Sequence, residues 1–162
     1  MNGTVSGRTL VAGVGNIFLS DDAFGVEVVR LLSERPVPAG VEVRDFGIRG
    51  VHLAYDLLNG CDLFVLVDAA QRGEAPGTVS VVEVEVPDAA SLDGPVMDAH
   101  DLTPDSIFAL LATLGGRPGR SLLVACEPAD LSAGMGLSGP VLQALPHAVR
   151  TVQEILAGTE AE

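Results

Sequence analysis

Six residues of this chain combine a reactive type with a telling position: Asp21, Asp22, Asp45, Asp68, His100 and Glu127. Carboxylates and an imidazole brought together suit a divalent cation such as zinc, nickel or iron. Two carboxylates and one histidine would leave coordination positions open for a substrate group or a water. Crowded carboxylates repel one another, and a buried one is costly unless paired, so a cation is the simplest neutraliser. The separations along the chain are long, so the fold rather than a local motif must assemble such a site. No Ser–His–Asp or Cys–His arrangement is evident as a rival nucleophile. Cys61 and Cys126 stand far apart in apolar runs, with no CxxC pair, and read as small buried hydrophobes of a reduced compartment.

The elements that must position these residues follow from hydropathy and turn signals. Thr9–Val14 is a short apolar run ending at glycine, hence a buried strand. Ser20 or Asp21 can cap a helix whose apolar face includes Phe24, Val28, Leu31 and Leu32, stopped by Arg35-Pro36. Val41–Arg44 is a second strand, directly followed by Asp45. Gly47–Gly50 then turns into a helix carrying Leu53, Leu57 and Leu58, which ends near Asn59-Gly60. Leu63–Val67 is the most strand-like run, and Asp68 ends it. Val79–Val86 alternates in its second half and follows a strand with no helix between, so it is expected at an edge and antiparallel. Residues 87–99 read as a polar loop, and a helix starts at Thr103 (cap) and Pro104 and runs to Leu114. Leu122–Cys126 is a further buried strand, and Pro140–Leu156 the last helix.

Strands alternating with helices predict one α/β domain of three layers with a mostly parallel sheet. It spans residues 1–162, with a core from about 9 to 157 and a frayed tail at 158–162. The chain is 48% hydrophobic but only 4% aromatic, so Val, Leu and Ala must build the core, as suits buried parallel strands. A formal charge of −13 argues against nucleic acid and anionic membranes as partners. The first ten residues, MNGTVSGRTL, lack the apolar segment of a signal peptide, and no apolar run approaches the ~20 residues that span a bilayer. A cytoplasmic monomer is expected.

In an open parallel sheet, ligands sit beyond the carboxyl ends of the strands. Asp21 and Asp22 follow the first strand, Asp45 the second, Asp68 the third and Glu127 the last core strand, while His100 lies just before a helix. Each also has a bland reading. Asp21 is most simply a helix cap worth ~1 kcal/mol. Capping needs only one acid, so Asp22 stays open between that role and function. Asp68, directly after a buried strand, reads as functional. His100 in isolation would be an ordinary loop histidine, His52 and His147 read as structural or surface residues, and Asp45 and Glu127 stay open. The glycines match a nucleotide loop only weakly: Phe18 stands where GxGxxG needs its third glycine, and no GxxxxGK[ST] is present.

The stretch GVGNIFLSDDAFG resembles the N-terminal signature of the hydrogenase maturation endopeptidases. The likeness continues with DFGIRG at 45–50, LFVLVDA at 63–69, APGT at 75–78 and MDAHDL at 97–102, in order, over residues from about 9 to 150. The resemblance implies a three-layer αβα sandwich with a five-stranded sheet. It implies removal of a C-terminal peptide from the large-subunit precursor of a nickel–iron hydrogenase after nickel insertion. It also implies a metal-contacting triad, which falls on Asp22, Asp68 and His100, with Asp45 at an acidic position near that site. By the same resemblance the metal would be nickel borne by the precursor in place of a resident cofactor, although other divalent ions suit the same ligands. Ala23 stands where the family often has glycine, and Asp22 where some members have Glu. Two rival readings remain: a non-catalytic nickel-sensing chaperone-like module, and a flavodoxin-like phosphate-binding domain using Gly13 and Gly15.

Overall fold

The computed structural model describes residues 7–86 and 103–161, with side chains as far as 158. His100, the MDAHDL block and the loop expected over 87–99 lie outside the described residues. Five strands form one sheet: β1 (Thr9–Val14), β2 (Val41–Gly47), β3 (Leu63–Ala69), β4 (Val79–Val84) and β5 (Arg120–Cys126). Their order is β2-β1-β3-β5-β4. The β1–β2, β1–β3 and β3–β5 pairs are parallel, and β4 pairs antiparallel with β5 at the edge. The α/β class, the mostly parallel five-stranded sheet and the antiparallel edge strand agree with expectation.

Among the described residues, four helices cover the sheet: α1 (Phe24–Leu32), α2 (Gly50–Leu57), α3 (Pro104–Thr113) and α4 (Gly139–Ala161). The strand pleat divides the core in two. Val11, Val65, Val67, Leu122 and Val124 meet α1 and α4 through Phe24, Val28, Val149 and Val152. Leu10, Ala12, Phe64, Leu66 and Leu123 meet α2 and α3 through Leu53, Leu57, Ile107 and Leu111. Alternating side chains pointing to opposite faces is what lets one apolar strand feed both layers. Phe64 and Phe108 close the second core edge to face, with ring centroids 5.7 Å apart.

The chain runs from β1 outward to β2, and then back across β1 to β3. Because α1 and α2 lie on opposite faces, the strand order reverses between β1 and β3, the switch point at which α/β sheets leave a crevice.

Several boundaries differ from the sequence reading. No helix begins with a Ser20 or Asp21 side-chain cap: Ser20–Ala23 form a 3-10 turn, and α1 starts at Phe24 with no side-chain cap bond. β2 runs through Asp45 to Gly47 instead of stopping at Arg44, because as an edge strand it exposes alternate residues and its polar end looks like loop. β4 ends at Val84. Leu58 lies beyond α2 and is exposed. α4 continues past Leu156 to Ala161, through residues expected to fray. The Thr103 cap is as expected, its Oγ1 accepting from the Ser106 amide at 3.2 Å behind Pro104.

Candidate active site

The site begins with how β1 ends. Gly15 has φ +140, and a Cβ there would lie 1.8 Å from the Asp22 carbonyl oxygen. The chain therefore folds back on itself tightly enough to lay the Ser20–Ala23 turn against the strand end. Gly25 makes the second close approach: a Cβ on it would lie 2.1 Å from the Val67 carbonyl oxygen and 2.7 Å from that of Val14. The start of α1 thus sits directly across the carboxyl ends of β1 and β3. These glycines contact protein backbone, which leaves no phosphate cradle at them. Asn16 shapes the loop, its Oδ1 accepting from the Phe18 amide at 2.8 Å.

Asp22 and Asp68 flank the switch point. The Asp22 carboxylate is partly buried, and its Oδ2 accepts from the Asn16 amide at 2.7 Å. Asp68, next to last in β3, is only 2% exposed. Burial, and then the negative Asp22, push its carboxyl well above the usual carboxylate range, against a hydrogen bond from the Ala69 amide. A cleft of about 390 Å³ opens beside Asp22 and the residue that follows Asp68. Its lining includes Asp22, the Ala69–Arg72 segment after β3, Thr103 and Asp105 at the start of α3, and Leu131. Among the described residues, no third His, Cys, Asp or Glu joins the pair in a metal-binding group.

The other acids have different surroundings. Asp45 is exposed at the end of β2, where its Oδ1 accepts from the Gly47 amide at 2.7 Å and closes the turn into Gly47. The Asp45 carbonyl accepts from Arg49 Nη2 at 2.9 Å, and both Arg44 and Arg49 lie over the Phe46 ring. Glu127 is nearly buried, and its Oε1 accepts from the amides of Arg72 (2.8 Å) and Glu74 (3.2 Å). It therefore holds the segment after β3 that forms one wall of the cleft. His52 and His147 are exposed on α2 and α4. Both cysteines are buried and unpaired, and burial together with Asp21 and Glu127 pushes the Cys126 thiol up to about 11, so it stays protonated and is no nucleophile.

Asp21 overturns the capping expectation. It is fully buried and accepts four hydrogen bonds from the loop between β5 and α4: from the amides of Ala129, Asp130 and Ser138 and from the Ser138 hydroxyl. Burial opposes its charge, but these donors outweigh it and hold the carboxyl below its ordinary range. Its partners lie more than a hundred residues downstream, so no local signal in the sequence points to them.

Comparison with known proteins supplies the family. A model described as hydrogenase maturation protease matches residues 26–155. The hydrogenase 2 maturation protease of Escherichia coli is 33% identical over 158 residues, covering 95% of this chain and 94% of its own. The hydrogenase expression/formation protein HoxM of Azotobacter vinelandii is 35% identical, covering 91% of this chain and 72% of its own. Among solved structures, the hydrogenase maturating endopeptidase HybD of E. coli superposes with a TM-score of 0.75 at 30% identity, over 94% of this chain and 93% of its own. A hydrogenase 2 maturation peptidase from a Thaumarchaeota archaeon gives 0.70 at 33% identity, over 93% and 98%. A match across most of the sequence and a shared architecture agree: the chain belongs to the hydrogenase maturation protease family and is a protein-cutting hydrolase.

Proposed function

We propose that this protease removes a C-terminal peptide from the nickel-loaded large-subunit precursor of a nickel–iron hydrogenase, and that Asp22, Asp68 and His100 engage the nickel that the precursor carries. The observation that carries this reading is the Asp22–Asp68 pair at the switch point. One carboxyl is buried and feels the charge of a second acid, an arrangement that costs free energy until a cation offsets it. Their oxygens are hard donors and an imidazole is a borderline one, a set that accepts nickel without strain on ligand type. His100 stands three residues before Thr103, which lines the same cleft. Nickel so held would act as a Lewis acid on the adjacent peptide carbonyl, or as the mark that distinguishes a loaded precursor.

The chain's own groups do the rest. The Asn16 amide fixes the Asp22 carboxylate, and Glu127 fixes the wall formed by Ala69–Arg72, so the precursor's C-terminal segment meets a preorganised cleft. The Asp68 carboxyl, held above its usual range by burial and by Asp22, is the group that a cation there would stabilise in its charged form. Membership of a protease family favours cutting over a chaperone-like sensor, and the close backbone approaches at Gly13 and Gly15 speak against the phosphate reading. No helix among the described residues is long and apolar enough to cross a membrane. We place the reaction in the cytoplasm and the protease there as a monomer. Asp22→Ala and His100→Ala should each slow processing of purified precursor by about a hundredfold or more, followed by the mass of the large subunit. Either variant working at the wild-type rate would remove that residue from the triad.

A further inference from the structure

The more deeply buried acid of the Asp21–Asp22 pair is the one that the proposed chemistry leaves idle. Both of its oxygens are engaged by the loop between β5 and α4. Oδ1 accepts from the Ser138 amide at 2.7 Å. Oδ2 accepts from the amides of Ala129 (2.8 Å) and Asp130 (3.0 Å) and from Ser138 Oγ (2.8 Å). The backbone is stitched at the same place. The Asp21 amide donates to the Asp130 carbonyl at 2.9 Å and the Ser20 amide to that of Gly134 at 2.9 Å, while the Gly134 amide donates to the Phe18 carbonyl at 2.8 Å. Ser20 Oγ also donates to the Ser132 carbonyl at 2.8 Å. Ser20 itself holds φ +53, a left-handed conformation that a serine adopts only where its surroundings impose it.

Asp22 is the next residue along this turn, and its own bonds are local: its Oδ2 to the Asn16 amide, and its amide to the Leu19 carbonyl at 3.1 Å. The turn that carries Asp22 is therefore referenced to the rest of the molecule through Ser20 and Asp21. We propose that Asp21 is a positioning residue for Asp22: its carboxylate clamps the 129–138 loop onto the Ser20–Ala23 turn, and this fixes where the Asp22 carboxylate stands relative to Asp68. The clamp also sets the cleft wall, since Leu131 belongs to the same loop and lines the cleft. The inference rests on the reading of Asp22 as a site residue. It requires a carboxylate specifically, because each oxygen faces at least one backbone N–H. An asparagine turned either way would aim its own N–H groups at a donor.

Asp21→Asn tests this, together with Ser138→Ala, which removes one of the four bonds, and Asp22→Ala. Val152→Ala, a change in the buried core of α4, serves as the stability control. Each is assayed for precursor cleavage at a temperature where thermal melts show it folded, and amide hydrogen exchange is followed in parallel. Asp21→Asn should lower kcat/KM by about thirtyfold or more and Ser138→Ala by about threefold, with Val152→Ala within about threefold of wild type. Exchange should rise in segments 16–23 and 129–138 of Asp21→Asn, while β1 and β3 stay protected. If Asp22→Ala is inactive but Asp21→Asn matches the core control in rate and exchange, the clamp is refuted while the site stands. If Asp22→Ala cleaves normally, the site reading itself fails. Should Asp21→Asn not fold, unchanged kcat/KM and exchange in Ser138→Ala overturn the proposal.

Discussion

Asp68→Asn is expected to abolish processing, by about a thousandfold or more, while making the metal-free protein more stable. The two effects have one cause. Asp68 is 2% exposed, and burial and Asp22 hold its carboxyl well above the range it has in an unfolded chain. A carboxyl raised in this way favours the folded state only while it is protonated. The stability linked to it is intact below the unfolded value, near pH 4, and is lost as pH rises through the folded value. An amide carries no charge at any pH and escapes that loss. Relieving such a group typically returns about 1–2 kcal/mol, a rise in Tm of roughly 3–6 °C for a chain of this size at neutral pH. Melts of both proteins from pH 4 to pH 8 should show a gap that is small at the acid end and widens upward. A variant that is both active and no more stable than wild type would mean that Asp68 is an ordinary strand residue.

The second large effect is expected at a residue with no reactive atom. Gly25 lies where α1 crosses the ends of β1 and β3, and a Cβ there would meet the carbonyl oxygens of Val67 and Val14 at 2.1 and 2.7 Å. Both obstacles are backbone, so neither can rotate away, and the helix or the strands must move. Gly25→Ala should destabilise the protein by about 2–4 kcal/mol, a fall in Tm of roughly 5–15 °C. The displaced residue, Val67, immediately precedes Asp68, so the fraction that still folds should also process the precursor poorly. A Tm within about 2 °C of wild type would show that the helix is free to shift.

The difference between these two residues also explains what was legible in the sequence. Asp68 stood out because an acid directly after LFVLV breaks a run that otherwise reads as wholly buried, and strand β3 is buried almost throughout. The antiparallel edge strand β4 was legible because no helix separates it from β3 in the chain. What Gly25 is for was not legible, because it depends on the carbonyl of Val67 in β3, some forty residues later. Asp21 was misassigned for the same reason. Its capping signature is local, whereas the four donors that hold it come from a loop more than a hundred residues downstream. Edge strand β2 looked shorter than it is because its exposed face carries Glu42 and Arg44, so Asp45 seemed to lie beyond the strand. Periodicity reports burial well, and it is silent on which distant backbone group a glycine or a carboxylate meets.

If Asp22 and Asp68 read nickel in the substrate, cutting must depend on that nickel. The most direct measurement is the intact mass of a large-subunit precursor after incubation with this protease, in nickel-loaded and nickel-free forms side by side. The loaded precursor should lose a C-terminal peptide, and the nickel-free precursor should keep its full mass. Equal cutting of both forms, or full mass retained by the loaded form, would contradict it.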